Sequence, residues 1–244
     1  MRCAIMADIH ANLAAFQAVL EDAQNRGGFD EIWHLGDVVG YGPDPDECIQ
    51  LLRHHRHLSI AGNHDWAAIG KIDTSDFNRD AAAACHWTTE RLTPEDVEYL
   101  RNQPEVLHLD DFTIVHGSPM QPIWEYILSV AVARTNFAHF ETRFCLIGHS
   151  HIPMVFSLDQ DDVCQIRGLP SRLSLKEEKS RLIINCGGVG QPRDHDPRAS
   201  YAILDTESGD LYHYRVDYDI SATQQKMTEA GLPSHLFQRL SYGW

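Results

Sequence analysis

Five short polar motifs, each at the end of a short apolar run, constrain this chain more than anything else in it. In order they are Asp8-Ile9-His10, Gly36-Asp37-Val38-Val39-Gly40, Gly62-Asn63-His64-Asp65, the single His116, and Gly148-His149-Ser150-His151. The apolar runs, at 2–7, 31–35, 58–61, 112–116 and 144–147, read as strands. Helical patterns fill the intervals. Asn12 is placed to cap a helix with Leu13, Phe16, Val19 and Leu20 on one face, ending near Gly27-Gly28, and 45–54 reads as the next helix. This βαβαβ rhythm predicts a parallel or mixed sheet covered by helices. Loops at the strand ends of such a sheet converge on one crevice, so the motifs are expected to meet.

Further along, 76–92 and 94–102 read as helices, the second capped by Thr93, and 106–109 as a strand. A helix is expected near 130–141. Strands then dominate at 154–158, 163–167, 182–185, 201–205 and 211–217, with helical patterns returning after Ile220. No Pro- or Ser-rich linker and no repeat interrupts the chain, so residues 1–244 read as one α/β domain.

Charge narrows the partners. With 20 basic against 35 acidic residues the formal net charge is −15, which opposes broad binding to nucleic acid or an anionic membrane. Residues 1–7 are too short and too soon polar for a signal peptide, and no apolar run approaches a membrane span. Six cysteines scattered without CxxC spacing fit free, mostly buried thiols in a reducing cytoplasm. A homo-oligomer is compatible with all of this.

The motifs gather two carboxylates (Asp8, Asp37), one carboxamide (Asn63) and five imidazoles (His10, His64, His116, His149, His151). Mixed oxygen and nitrogen donors suit divalent manganese, iron, cobalt, nickel or zinc. In an extended segment residues i and i+2 point the same way, so Asp8 with His10, and His149 with His151, are expected to face one site. Gly36, Gly62 and Gly148 are expected where the chain turns sharply or approaches the ions closely. His34, His54, His55 and His57 read as solvated or core-edge residues, and Cys145 and Cys186 as core thiols. The loop 185–194 offers backbone N–H groups or Arg193 to a phosphate oxygen, against the plainer reading of a tight turn.

DxH, GDxxG, GNHD, a separate His and GHxH, in that order over the first 150 or so residues, resemble the calcineurin-like metallophosphoesterase superfamily, in its small bacterial phosphodiesterase-like branch. The resemblance implies a sandwich of two mixed β-sheets flanked by helices. It implies two metal ions, manganese foremost: Asp8, His10 and His151 on one, Asn63, His116 and His149 on the other, Asp37 bridging. His64 would stand over the substrate beside Asn63 and act on the leaving oxygen, with Asp65 orienting it. Small bacterial members carry an Asn-Pro-Gly-Ser-Val segment to which 185–189 is loosely similar, with Cys186 and Gly188 replacing Pro and Ser.

The implied reaction is hydrolysis of a small phosphate ester by metal-activated hydroxide. Serine/threonine phosphatases and symmetrical diadenosine tetraphosphatases place an arginine four positions after the bridging aspartate, where this chain has Tyr41. A phenol cannot clamp a phosphoryl dianion as a guanidinium does, so the expectation is a phosphodiester, with Tyr41 and Arg193 at the substrate. Arg193 or Arg198 acting as the clamp would reverse it. Competing readings are a dinucleoside polyphosphate or phosphomonoester hydrolase, a catalytically silent metal-binding scaffold, and a mononuclear amide hydrolase. Turnover of bis-p-nitrophenyl phosphate with and without Mn²⁺ separates these classes.

Overall fold

Strand β1 (Arg2–Met6) is buried along nearly all its length, and this decides the architecture. Successive strand side chains point to opposite sides. Cys3 and Ile5 enter one apolar cluster, Ala4 and Met6 another. A strand with no polar face reads as a continuous apolar run, as this one does. In the computed structural model, which describes residues 1–244, β1 lies near the middle of one of two six-stranded sheets.

The first sheet adds β2 (Glu31–His34), β3 (His57–Ser59), β9 (Arg172–Ser174), β11 (Ala199–Asp205) and β12 (Asp210–Val216), in the order β3-β2-β1-β11-β12-β9. The second contains β4 (Val106–Leu109), β5 (Phe112–Val115), β6 (Phe144–Ile147), β7 (Met154–Leu158), β8 (Cys164–Gly168) and β10 (Arg181–Asn185), in the order β4-β5-β6-β10-β7-β8. β1, β2 and β3 run parallel, as do β5, β6 and β10, and the other pairings are antiparallel. Both sheets are therefore mixed, as the motif series implied.

Ile5, Leu35, Leu146, Ile184 and Leu204 belong to the cluster between the sheets. Helices cover the outer faces. α1 (Leu13–Asn25) starts where Asn12 Oδ1 accepts the Ala15 N–H at 3.2 Å, and it buries Ala15, Phe16, Val19 and Ala23 against the first sheet. Tyr201 of β11 fills the same layer, with its hydroxyl donating to Asp22 at 2.8 Å. α2 (Pro45–His54) follows with Asp46 and Glu47 in its first turn and Arg53 and His54 in its last, matching the helix dipole. Opposite them, α6 (Val130–Asn136) covers the second sheet.

Several boundaries differ from the sequence reading for local reasons. β3 stops at Ser59, not 61: Ile60 N–H still reaches the His34 carbonyl of β2, but Ala61 N–H turns away to the Pro104 carbonyl. Residues 63–65, read as a strand-end loop, open a short fully buried helix, α3 (Asn63–Ala68). α4 (Arg79–Thr89) begins late because Asn78 caps it, whereas α5 (Pro94–Arg101) starts at its Thr93–Asp96 capping box as expected. The helix expected over 130–141 ends at Asn136 and continues as a 3-10 turn, Phe137–His139, because the Asn136 side chain is drawn to Glu125 and to Met120 N–H. β9, three residues long, carries too little pattern to read from sequence. At the C-terminal end, α7 (Ile220–Glu229) and α8 (Ser234–Gln238) pack Met227 and Leu236 into a cluster with Tyr41. All six cysteines are free and five are buried. His34 is buried against Ser59, while His54 is exposed and His55 and His57 half-buried. No helix is long and apolar enough to cross a membrane.

Phe16 has no exposed surface and anchors α1 to the first sheet. Phe16→Ala is expected to lower unfolding free energy by about 3–5 kcal/mol, read from urea denaturation.

Candidate metal centre

The six parallel strands bring their C-terminal ends to one edge of the sandwich, and the motifs follow directly behind them. The chain does not stay extended there. Asp8, His10, Ala11, Asp37, Tyr41, His149 and His151 have φ between 49° and 63°, in the left-handed region. The expectation that Asp8/His10 and His149/His151 share a side as alternate residues of an extended segment is therefore corrected. They converge because each motif coils tightly as it leaves its strand. Such conformations cost about 1–3 kcal/mol each and persist only where the surroundings hold them.

Glycine gives the loops room to cross. A Cβ at Gly62 would lie 2.0 Å from Asp37 Oδ1, and one at Gly190 only 1.8 Å from the Ile9 carbonyl oxygen. The loop after β10 threads beneath the first motif in this way: Val189 and Gly190 N–H donate to the Ala7 and Asp8 carbonyls, each at 2.9 Å. Those two N–H groups, expected to be available to phosphate, serve instead to brace Asp8.

Two donor sets result. Ligand atoms of Asp8, His10 and His151 lie within 4.8 Å of one another, as do those of Asp37, His116 and His149. Asn63 Oδ1 joins the second set, 3.1 Å from His116 Nε2. Asp37 adjoins both: its Oδ2 is 3.3 Å from His116 Nε2 and 3.7 Å from His10 Nε2. A third grouping, His10, Asp37 and His64, falls within the same distance.

Backbone carbonyls fix the rings. His10, His116 and His151 each turn Nδ1 to a carbonyl, of Val39 (3.1 Å), Leu35 (2.8 Å) and Gln191 (2.5 Å). His149 turns Nε2 to the Trp124 carbonyl at 3.0 Å. A ring that donates one N–H outward presents a lone pair inward. His10 Nε2 consequently faces His151 Nε2 at 3.2 Å, and Asp8 Oδ2 and Asp37 Oδ2 are buried without a partner. Acceptor meets acceptor between His10 and His151, beside the unpartnered Asp8 Oδ2, and cations satisfy such a set. Electrostatics agree. Burial, reinforced by the charge of Asp37, pushes Asp8 up to about 7. Burial opposes ionisation of Asp37 as well, but His116 and His64 hold its carboxyl well below the usual range. Burial alone would depress His116, yet Asp37 takes it up to about 9, placing a proton where positive charge belongs.

Asp37 Oδ1 accepts the His64 N–H at 2.8 Å, which leaves Oδ2 as the oxygen facing both donor sets. Asp65, expected to orient His64, makes no hydrogen bond to it. Both its oxygens are occupied by backbone N–H groups, Oδ2 by Asp37 (2.8 Å) and Gly62 (3.0 Å), Oδ1 by Val39 (3.1 Å). A carboxylate on α3 thus ties together two loops of the candidate donor set. The His64 ring lies between Tyr41 and Phe77, with centroids at 4.3 and 4.7 Å, and edge-on to His10 at 4.9 Å. Burial brings it down to about 4 against the pull of Asp37, so it is a neutral imidazole.

Arg193 is the basic residue at this centre. Its Nη2 donates to Gln191 Oε1 at 2.9 Å and, more weakly, to Tyr41 Oη at 3.4 Å, and its Nε is buried without a partner. No carboxylate lies within ion-pairing range of it. Arg198, the other candidate, is held at the surface by Asp196. Sequence reasoning missed Tyr126, which stacks on His149 with centroids 3.8 Å apart and planes 15° apart. It belongs to an irregular loop with no motif, so no pattern announced it.

A family model described as the calcineurin-like phosphoesterase superfamily domain matches residues 1–209. An uncharacterized protein of Methanocaldococcus jannaschii is 38% identical over 245 residues, covering 98% of this chain and 97% of that one. The crystal structure of a metallophosphoesterase from Sphaerobacter thermophilus superposes with a TM-score of 0.89 at 45% identity, covering 100% and 99% of the two chains. A symmetrical bis(5'-nucleosyl)-tetraphosphatase of Glaesserella parasuis is 27% identical over 136 residues, spanning 53% of this chain and about half (49%) of that protein.

Gly62→Ala drives a methyl group into Asp37, and is expected to reduce Mn²⁺ uptake measured by elemental analysis after reconstitution. Gly168→Ala, where an added Cβ meets nothing within 4 Å, should bind as the wild type does. Equal uptake by both variants would contradict the role given to the Gly62–Asp37 contact.

Proposed function

The chain belongs to the calcineurin-like phosphoesterase superfamily and is a hydrolase of phosphate esters; from that premise we propose that two divalent ions share Asp37 and that Arg193 grips the phosphoryl group beside them. Asp8, His10 and His151 would hold one ion and Asn63, His116 and His149 the other. Bound there, the ions supply a water of lowered pKa, a hold on a phosphoryl oxygen and stabilisation of the attacking oxygen in an in-line displacement. The residues do the rest. Arg193, half-buried, contributes N–H donors to the non-bridging oxygens. His64, a neutral imidazole, offers an N–H to the departing oxygen, and the Tyr41 and Phe77 rings hold it in place.

The observation that carries this reading is Arg193: a guanidinium with only neutral partners, one N–H unsatisfied, beside a buried set of metal donors. An uncompensated cation in such a place is costly unless an anion completes it. It also bears on the substrate. The preference for phosphodiesters rested on the absence of an arginine at position 41, and Arg193 returns a guanidinium to the Tyr41 hydroxyl from another loop. A phosphoryl dianion gains more from that clamp than a diester monoanion does. The substrate we propose is accordingly a phosphomonoester.

Arg193→Ala is expected to reduce kcat/KM on an aryl monoester on the order of 10–100-fold, the loss of one or two charge-assisted hydrogen bonds, and to reduce it less on the matched diester. A wild-type preference for the diester, or equal losses on both, would overturn the assignment. His64 is tested with leaving groups. His64→Ala should cost little on p-nitrophenyl phosphate and on the order of 10²–10³ in kcat on an alkyl ester, the loss of one hydrogen-bond donor to a developing alkoxide, with metal content unchanged. Equal loss on both leaving groups would leave His64 a positioning role alone.

A further inference from the structure

Tyr126 is one of the few large apolar side chains left open to solvent, 44% exposed, although its ring lies flat on the metal-donor ring of His149. One face is spent on His149, so what solvent reaches is the opposite face and the edge. Tyr126 stands in the loop between β5 and α6, two residues after the Trp124 carbonyl that holds His149 Nε2. The loop is thus fixed to the centre at two neighbouring points, and the ring plane is fixed with it. Trp124 and Phe77 continue the aromatic rim, 5.3 Å apart and edge to face, and Phe77 reaches His64.

A cover for His149 alone needs no exposed aromatic face. We propose that the outer face of Tyr126 is a stacking platform for the base of a nucleoside phosphate, which makes a nucleoside phosphomonoester the substrate class; this rests on the monoester reading above. The geometry selects for a spacer. The outer face is separated from His149 by the thickness of the tyrosine ring, so a ring joined directly to the ester oxygen would lie inside the centre and miss the platform. A base held off from its phosphate by a ribose can lie on Tyr126 while the phosphate reaches Arg193. Stacking of this kind tolerates any base, because each presents a flat π-face.

Binding tests the platform without turnover. Phosphonates, whose C–P bond resists hydrolysis, are titrated calorimetrically into Mn²⁺-loaded protein: adenosine 5'-methylenephosphonate as the spaced ring, propylphosphonate as the ringless control and phenylphosphonate as the directly joined ring. Wild type should prefer the nucleoside probe. Tyr126→Leu, which keeps an apolar cover on His149, should weaken that probe on the order of ten-fold and both others by less than about two-fold, and Tyr126→Phe should retain the preference. Metal content is measured for each variant. Equal affinity of wild type for all three probes, or equal weakening of all three by Tyr126→Leu with metal retained, overturns the platform. Discrimination among the probes by a protein that cleaves no monoester would instead count against the hydrolytic reading and leave the platform standing.

Discussion

Hydrogen bonds run from the loop after β1 to the loop after β2: Asp8 N–H to the Gly36 carbonyl, His10 N–H to Asp37 and Ala11 N–H to Val38, at 2.9–3.0 Å. Val189 and Gly190 pin the first loop from below, and Gly148 N–H reaches the His116 carbonyl across the second sheet. Asp8, His10, Ala11 and Asp37, four of the left-handed residues, take part in these bonds directly. Without them each motif would relax toward extended chain and its side chains would swing apart. Asp65 adds the last tie, joining the second and third loops through three N–H groups. The donor set is a product of backbone crossing backbone, and the side chains occupy positions already decided.

That framework reconciles an acidic protein with an anionic substrate. The net charge of −15 is spread over the whole chain and is screened by salt within about 10 Å. The centre is small, shielded and locally different. Its two central carboxylates face metal donors, and its arginine has no acidic partner. On the proposed reading a phosphate would meet Arg193 and the ions on arrival, with the acidic surface behind it.

Much of this was legible in the sequence. The parallel strands were readable because each is a short apolar run ending in a polar motif, and α1, α2 and α5 because Asn12, Pro45 and Thr93 mark their starts. The donor residues were readable as types. Their conformation was not, since alternation argues from extended chain and the motifs leave it at once. Asp65 was misread for a related reason: a carboxylate next to a histidine in sequence suggests a pair, while the opening turn of α3 sends it to backbone N–H groups. Arg193 was legible as a candidate, but its approach to Tyr41 joins loops 152 residues apart, a separation no local pattern spans. Tyr126 left no signal at all.

The four carbonyls that orient the histidine rings belong to Leu35, Val39, Trp124 and Gln191, and none depends on the side chain of its residue. Any amino acid at those positions supplies the same oxygen. The protonation pattern of the centre is therefore sheltered from point mutation in a way that a ring of aspartates or serines in the same place would not be. Its ligands can be lost one substitution at a time, but the arrangement that decides which nitrogen of each ligand carries the proton can be lost only by moving the chain. Descendants of this sequence in which one of those four side chains changed while the backbone stayed in place would still inherit the same tautomers.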